Sequence, residues 1–365
     1  MRRLTSLLLI PLAGCVSLPG EGAGAGDAPD LDRLFAAWAA PGAPGAAVLI
    51  RHNGRTVLTR GFGLADLEPP TPAGPRTAYR LASLTKQFTA RVILILAEEG
   101  RLRLSDSISL HLPSLPPWGK SVTIRHLLTH TSGIADYEDL IPEGTTAQLH
   151  DSDVLDLVRT TPATSFEPGS SHRYSNSGYA LLALIVERAA GWPFPLALEE
   201  KIFRPLGMSG TIAFVEGGPP VPRRAMGTSR RDGRWEPTDQ SLTSAVLGDG
   251  GIYSSVSDLA LWAAELDEPT LVRPERLAEA FSPIVPTAVA GVSYGYGWRV
   301  GHVEGRPAVF HSGETVGFRN AILRIPGERL TVAILTNRNE GEPMDLVREI
   351  ARRMLDRAER RASAR

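Results

Sequence analysis

Strand-forming runs lie at the two ends of this chain and almost nowhere between them. Near the start, Ala46 to Ile50 and Thr56 to Gly61 flank Asn53-Gly54, a dipeptide that favours the backbone of a tight hairpin turn. Near the end, strand patterns return at Tyr296–Val300, Ala308–His311, Ala321–Ile325 and Thr331–Leu335, followed by a helix from about Met344. The stretch between, about 84–280, reads as helices and long loops containing Pro and Gly, and Leu31 to Ala40 reads as a further helix. Strands at both ends with helices between predict a mixed α/β (α+β) fold. One antiparallel sheet, flanked by helices, is built from both ends of the chain (about 30–82 and 290–365). A mainly helical lobe comes from about 83–289.

A single tetrad at the start of that helical stretch carries the chemistry. Of 39 basic residues only three are Lys, namely Lys86, Lys120 and Lys201. Arg cannot lose its proton at working pH, whereas a buried Lys can. Lys86 closes the run Ser83-Leu84-Thr85-Lys86, so a hydroxyl stands three residues before a group able to take its proton. From Ser83 to Glu99 the apolar residues Leu84, Phe88, Val92, Ile95 and Leu96 recur at helical spacing, with Gly100 as the stop. Positions i and i+3 share a helix face, which lets Lys86 reach back to Ser83. Ser-x-x-Lys alone is a weak signal, because a nucleophile needs partners in space.

Two further stretches offer them. Tyr174-Ser175-Asn176 follows the loop Glu167-Pro168-Gly169 and precedes an apolar helix, Gly178 to Ala190, closed by Gly191. His311-Ser312-Gly313 ends the strand-like run Ala308-Val309-Phe310. In this order the three motifs resemble the serine β-lactamase and penicillin-binding-protein superfamily, and most closely its class C-like branch of DD-peptidases, esterases and β-lactamase-related hydrolases. Leu127-Leu128-Thr129-His130-Thr131-Ser132-Gly133, Gly250-Gly251-Ile252-Tyr253-Ser254-Ser255 and Tyr294-Gly295-Tyr296-Gly297-Trp298 resemble the same branch. The likeness covers roughly residues 30–345.

The resemblance implies a β-lactamase/DD-peptidase-like fold with the site in the cleft between the lobes. It implies Ser83 as nucleophile and an acyl-enzyme intermediate, with Lys86 or Tyr174 as first proton acceptor. Asn176 is expected to bind substrate, its amide able both to donate and to accept, although Asn at this place also suits a helix N-cap. Gly313 is expected to let a substrate backbone lie close to the strand. The backbone N–H groups of Ser83 and Glu314 would form the oxyanion hole. Relatives that hydrolyse penicillin usually carry Lys where His311 stands, so efficient β-lactam hydrolysis is not implied. His311 is expected either to bind a carboxylate as a cation or to act as a neutral hydrogen-bonding group. No cofactor is implied. The leading substrate is the peptide stem of the cell wall, with a small ester as the alternative, and a non-catalytic penicillin-binding sensor or scaffold as the rival from another class.

His126 and His130 stand four apart, as zinc ligands on a helix can. Yet the segment reads His-Leu-Leu-Thr-His without the Glu of the metalloprotease motif, so a packing or hydrogen-bonding role near the site is expected and no metal. No Gly-x-Ser-x-Gly elbow is present.

The N-terminus reads as an export signal, residues 1–14. Arg2 and Arg3 precede an apolar run, Leu4 to Leu12, too short to span a bilayer. Leu12-Ala13-Gly14-Cys15 then resembles a bacterial lipobox, in which Cys15 becomes the lipidated first residue; an ordinary cleavable signal is the other reading. Residues 15–29, rich in Gly, Ala and Pro, read as a flexible tether. The expected location is the cell envelope, lipid-anchored and facing the periplasm or the exterior, and Val16 suits outer-membrane sorting. A net charge of −1 with 22% charged residues gives no field favouring nucleic acid.

Overall fold

The protein is described here by a computed structural model covering residues 30–363. Its centre is an eight-stranded antiparallel sheet. The first two strands are β1 (Ala46–His52) and β2 (Arg55–Phe62). The remaining six are β3 (Val285–Pro286), β4 (Ser293–Tyr294), β5 (Arg299–Val303), β6 (Arg306–Thr315), β7 (Phe318–Ile325) and β8 (Leu330–Thr336). Their spatial order is β3-β4-β5-β6-β7-β8-β1-β2. The two ends of the chain therefore meet inside one sheet, as their strand patterns predict. Ala46 pairs with Thr336 on one side and Phe62 on the other. The β1–β2 turn uses Asn53 (φ 51°) and Gly54 (φ 76°), the left-handed pair that an Asn-Gly hairpin requires.

Period-two alternation divides the sheet's side chains between two cores. On β1, Ala47 and Leu49 join the larger core beneath the helical body, whereas Ala46, Val48 and Ile50 point to the opposite face. There they meet the C-terminal helix through Val347, Ile350, Ala351, Met354 and Leu355. Leu31 to Ala40 departs from its expected helix. It forms successive turns, with the Phe35 N–H on the Leu31 carbonyl and the Trp38 N–H on Phe35. Pro41 supplies no N–H to prolong them and Gly42 turns away at φ 72°. The apolar spacing read there as helical still serves burial, because Leu31, Phe35 and Trp38 cover the second face.

Three helices of the larger core position the site: α1 (Lys86–Glu98), α2 (Asn176–Ala190) and α3 (Val256–Asp267). A 3₁₀ turn, Ala82–Thr85, leads into α1, so the helix itself begins at Lys86. Eleven successive α1 residues, Lys86 through Leu96, are buried. The fully buried Arg91–Glu265 ion pair, 2.7 Å long, and the Trp262 indole donating to Gln87 tie α1 to α3. α2 ends where Gly191 takes φ 75°, the left-handed C-terminal position glycine favours. Among the described residues no single helix is long and apolar enough to cross a membrane.

Candidate active site

Ser83 sits on the 3₁₀ turn between the sheet and α1. The residue before it, Ala82, has φ 50°, a backbone region that residues with a Cβ seldom adopt and that recurs where geometry is imposed for function. Lys86 is fully buried. Its Nζ donates to Ser83 Oγ at 3.1 Å, Asn176 Oδ1 at 2.8 Å and the main-chain oxygen of Asp249 at 3.0 Å. Three acceptors match the three N–H bonds of an ammonium.

Asn176 is held there by the start of α2. The Asp136 carboxylate caps the helix by accepting the Asn176 N–H at 2.7 Å, and the N-cap residue itself is Ser175. Asn176 is therefore free of the capping job its position suggests. Its Oδ1 faces Lys86, and its Nδ2 donates to Glu138 Oε1 at 3.1 Å. Burial beside Asp136 raises the Glu138 carboxyl above its ordinary range.

The loop carrying Asp249 is fixed from below. The Asp151 carboxylate accepts the N–H groups of Leu247 and Gly248, both at 3.0 Å. A Cβ at Gly248 would stand 2.2 Å from the Tyr179 carbonyl oxygen, so only glycine lets this loop pack on α2. The Asp249 carboxyl is itself buried and accepts the Tyr137 hydroxyl at 3.3 Å. Desolvation pushes it up to about 6, against the opposing pull of Lys86 and Arg80.

Tyr174 lies over Lys86, whose Nζ is 5.1 Å from the ring centroid. Its ring packs on His130 at 4.3 Å between centroids. His311, on β6, is 6.2 Å from Tyr174 by the same measure and 1% exposed. Its Nδ1 is 2.6 Å from the Ser312 carbonyl, which can only accept, so the proton sits on Nδ1. Nε2 then accepts the Tyr294 hydroxyl at 3.0 Å. Desolvation first, and then the Arg299 charge, push His311 down to about 3. Of the two expected roles, the neutral one fits this geometry.

The fold itself also requires glycine at 313. A Cβ there would fall 2.1 Å from the Leu81 carbonyl oxygen. The missing side chain lets β6 close on the turn that bears Ser83. Glu314 lies opposite Arg319 in the β6–β7 ladder and its carboxylate accepts from that Arg at 2.7 Å. Cys15 lies outside the described residues. His126 and His130 do separate jobs: His126 closes a capping box with Thr123, while His130 stands beside Tyr174. Sequence reasoning missed Asp136, Glu138, Asp249, Tyr294 and Arg299. Asp249 and Tyr294 at least touch stretches that resemble the family, one just before Gly250-Gly251 and the other opening Tyr294-Gly295-Tyr296.

The family model described as Beta-lactamase matches residues 31–356, and the chain belongs to that family as a serine hydrolase. Penicillin-binding protein 4* of Bacillus subtilis (strain 168) is 31% identical over 309 residues, 80% of this chain and 68% of that protein. The D-aminopeptidase of Gluconobacter oxydans (strain 621H) is 29% identical over 308 residues. That match takes in 80% of this chain and 56% of the relative, so the chain spans little more than half of its length. The octameric penicillin-binding protein homologue from Pyrococcus abyssi has the same fold, with a TM-score of 0.80 at 28% identity over 89% of this chain and 77% of that one.

Proposed function

We propose that this chain hydrolyses an amide or ester through an acyl-enzyme on Ser83. Its substrate would be a peptide ending in a free carboxylate, as D-alanyl-D-alanine cell-wall stems do. The observation that carries the substrate class is Arg299. This half-buried cation has its guanidinium carbon 5.7 Å from the Tyr174 ring centroid and no hydrogen bond or ion pair among the described residues. His311, neutral and saturated, offers no charge, so Arg299 is the group left to receive a carboxylate.

The bonds at Lys86 support it as first base. Asn176 Oδ1 and the Asp249 carbonyl can only accept, so they hold two N–H bonds of Lys86 in either protonation state. Only the contact with Ser83 can reverse. A neutral amine would aim its lone pair at the Ser83 hydroxyl 3.1 Å away, within reach for general-base removal. Ser83 Oγ then bonds to the carbonyl carbon and its proton passes to Nζ. The carbonyl π pair becomes an oxyanion facing the backbone N–H groups of Ser83 and Glu314. Collapse breaks the bond to the leaving amine or alkoxide, which takes a proton from the Tyr174 hydroxyl, itself resupplied from Lys86. Water repeats the sequence and frees Ser83.

A second reading, an aminopeptidase or amidase for D-residues with a free amine, draws on Glu138. That carboxylate is bonded to Asn176 at the cleft edge. The Leu12-Ala13-Gly14-Cys15 motif supports placing the enzyme at the envelope, tethered by lipid on Cys15. The test is a panel: a peptide ending in D-Ala-D-Ala, the same peptide amidated at its C-terminus, D-alanine p-nitroanilide, a p-nitrophenyl ester and nitrocefin. The free-acid peptide should be preferred, and Arg299→Gln should erase the preference by raising KM for that peptide alone. Equal rates on acid and amidated peptides would refute the carboxylate claim, and preference for the anilide would favour the second reading.

A further inference from the structure

His130 is left unexplained by the chemistry above. It is 1% exposed and its backbone lies at φ 58°, a left-handed conformation uncommon outside glycine. Two of its hydrogen bonds bracket one neighbour. The Arg173 N–H donates to the His130 carbonyl at 2.9 Å. The Ser175 N–H donates to His130 Nδ1 at 3.2 Å. Between those two residues lies Tyr174, whose ring faces the imidazole at 4.3 Å. The imidazole also meets Tyr294 edge-on at 4.6 Å, and Tyr294 is the residue that bonds His311.

We propose that His130 is the positioning residue for Tyr174, holding the peptide on either side of it through a carbonyl and a ring nitrogen while packing against its ring. The inference rests on Tyr174 taking part in acyl transfer at Ser83. To accept the Ser175 N–H, Nδ1 must be unprotonated, so the imidazole is neutral with its proton on Nε2. The surroundings enforce this: burial first, then the nearby Lys86 and Arg299, disfavour a positive charge on this ring. The left-handed backbone has a reason too. It turns the chain after the Ile124–Leu128 helix, so that carbonyl and ring address the same strand of chain. A displacement of about 1 Å at a reacting group can cost roughly 100-fold in rate, which is the scale on which such a clamp matters.

Two substitutions separate this role from simple packing. In His130→Asn, the amide oxygen takes the place of Nδ1 and the residue tolerates φ above zero. In His130→Phe, the ring remains and the acceptor is lost. On the intact enzyme we expect His130→Asn to keep kcat within about tenfold of wild type, and His130→Phe to lose about 100-fold in kcat with KM little changed. Equal losses in both variants, or losses confined to KM, would overturn the proposal. If either variant fails to fold, wild type still decides. Imidazole ¹⁵N shifts should show His130 protonated on Nε2 alone, and a proton on Nδ1 would overturn the proposal. Should Ser83→Ala retain turnover, the acyl-transfer reading itself falls. Contrary His130 results beside an inactive Ser83→Ala would sink this inference alone.

Discussion

Replacing His311 by Gln should change how the protein responds to acid. In the folded state the imidazole is buried, bonded at both nitrogens and pushed down to about 3. In the unfolded chain it returns to its ordinary value near ~6.5. Because the folded value is the lower one, the unfolded state binds the extra proton first. Stability from this residue is complete above about 6.5 and is lost as pH falls towards about 3. Between pH 7 and pH 5 the loss amounts to about 2 kcal/mol. Gln cannot titrate, so the stability gap between wild type and His311→Gln should narrow by about 2 kcal/mol over that interval. Urea unfolding at the two pH values reads this directly. His130, also pushed well below its ordinary value, acts in the same sense. Asp249 and Asp151, pushed up to about 6 and about 7, act in the opposite sense. Both proteins share these groups, so the difference isolates His311. A gap that stays constant from pH 7 to 5 would refute a buried neutral His311. So would a titration midpoint near ~6.5 for its imidazole.

Other outcomes follow from the same geometry. Lys86→Arg should lose nearly as much activity as Lys86→Ala, since Arg keeps the charge but cannot take a proton; restored turnover in the Arg variant would make the role electrostatic. Gly313→Ala should cut kcat/KM about 100-fold or more and lower Tm, because its Cβ would lie 2.1 Å from the Leu81 oxygen. The control Gly74→Ala, with nothing within 4 Å of its Cβ, should match wild type in both. Cys15→Ala should move the protein out of the membrane fraction without altering hydrolysis, and attachment that survives would reject the lipid anchor.

What could be read from the sequence was whatever repeats locally. The hairpin at Asn53-Gly54, the helix after Ser83 and the strands near both ends all announce themselves through spacing within a dozen residues. So does the reach of Lys86 to Ser83, three residues apart. Leu31 to Ala40 shows the limit of that signal, because apolar spacing of four and three suits a run of turns as well as a helix. The other contacts of Lys86 are invisible to it: Asn176 is 90 residues away and Asp249 163. Asp136 and Glu138 act on Asn176 across some 40 residues and belong to no motif. Gly313 illustrates a subtler gap. A glycine on a strand signals a close approach, but only the fold shows that the approaching group is the protein's own Leu81. For His311 the sequence left the cationic and neutral roles open, because its partners Tyr294 and Ser312 had to be seen.

The most direct test of the account is the site of covalent capture. Wild type and Ser83→Ala are treated with a fluorophosphonate probe, measured by intact mass and digested to locate the adduct. A single adduct on the peptide carrying Ser83 is expected, with none in Ser83→Ala and turnover reduced by more than about 10³ in that variant. An adduct on another residue, or turnover in Ser83→Ala above a thousandth of wild type, would contradict Ser83 as nucleophile.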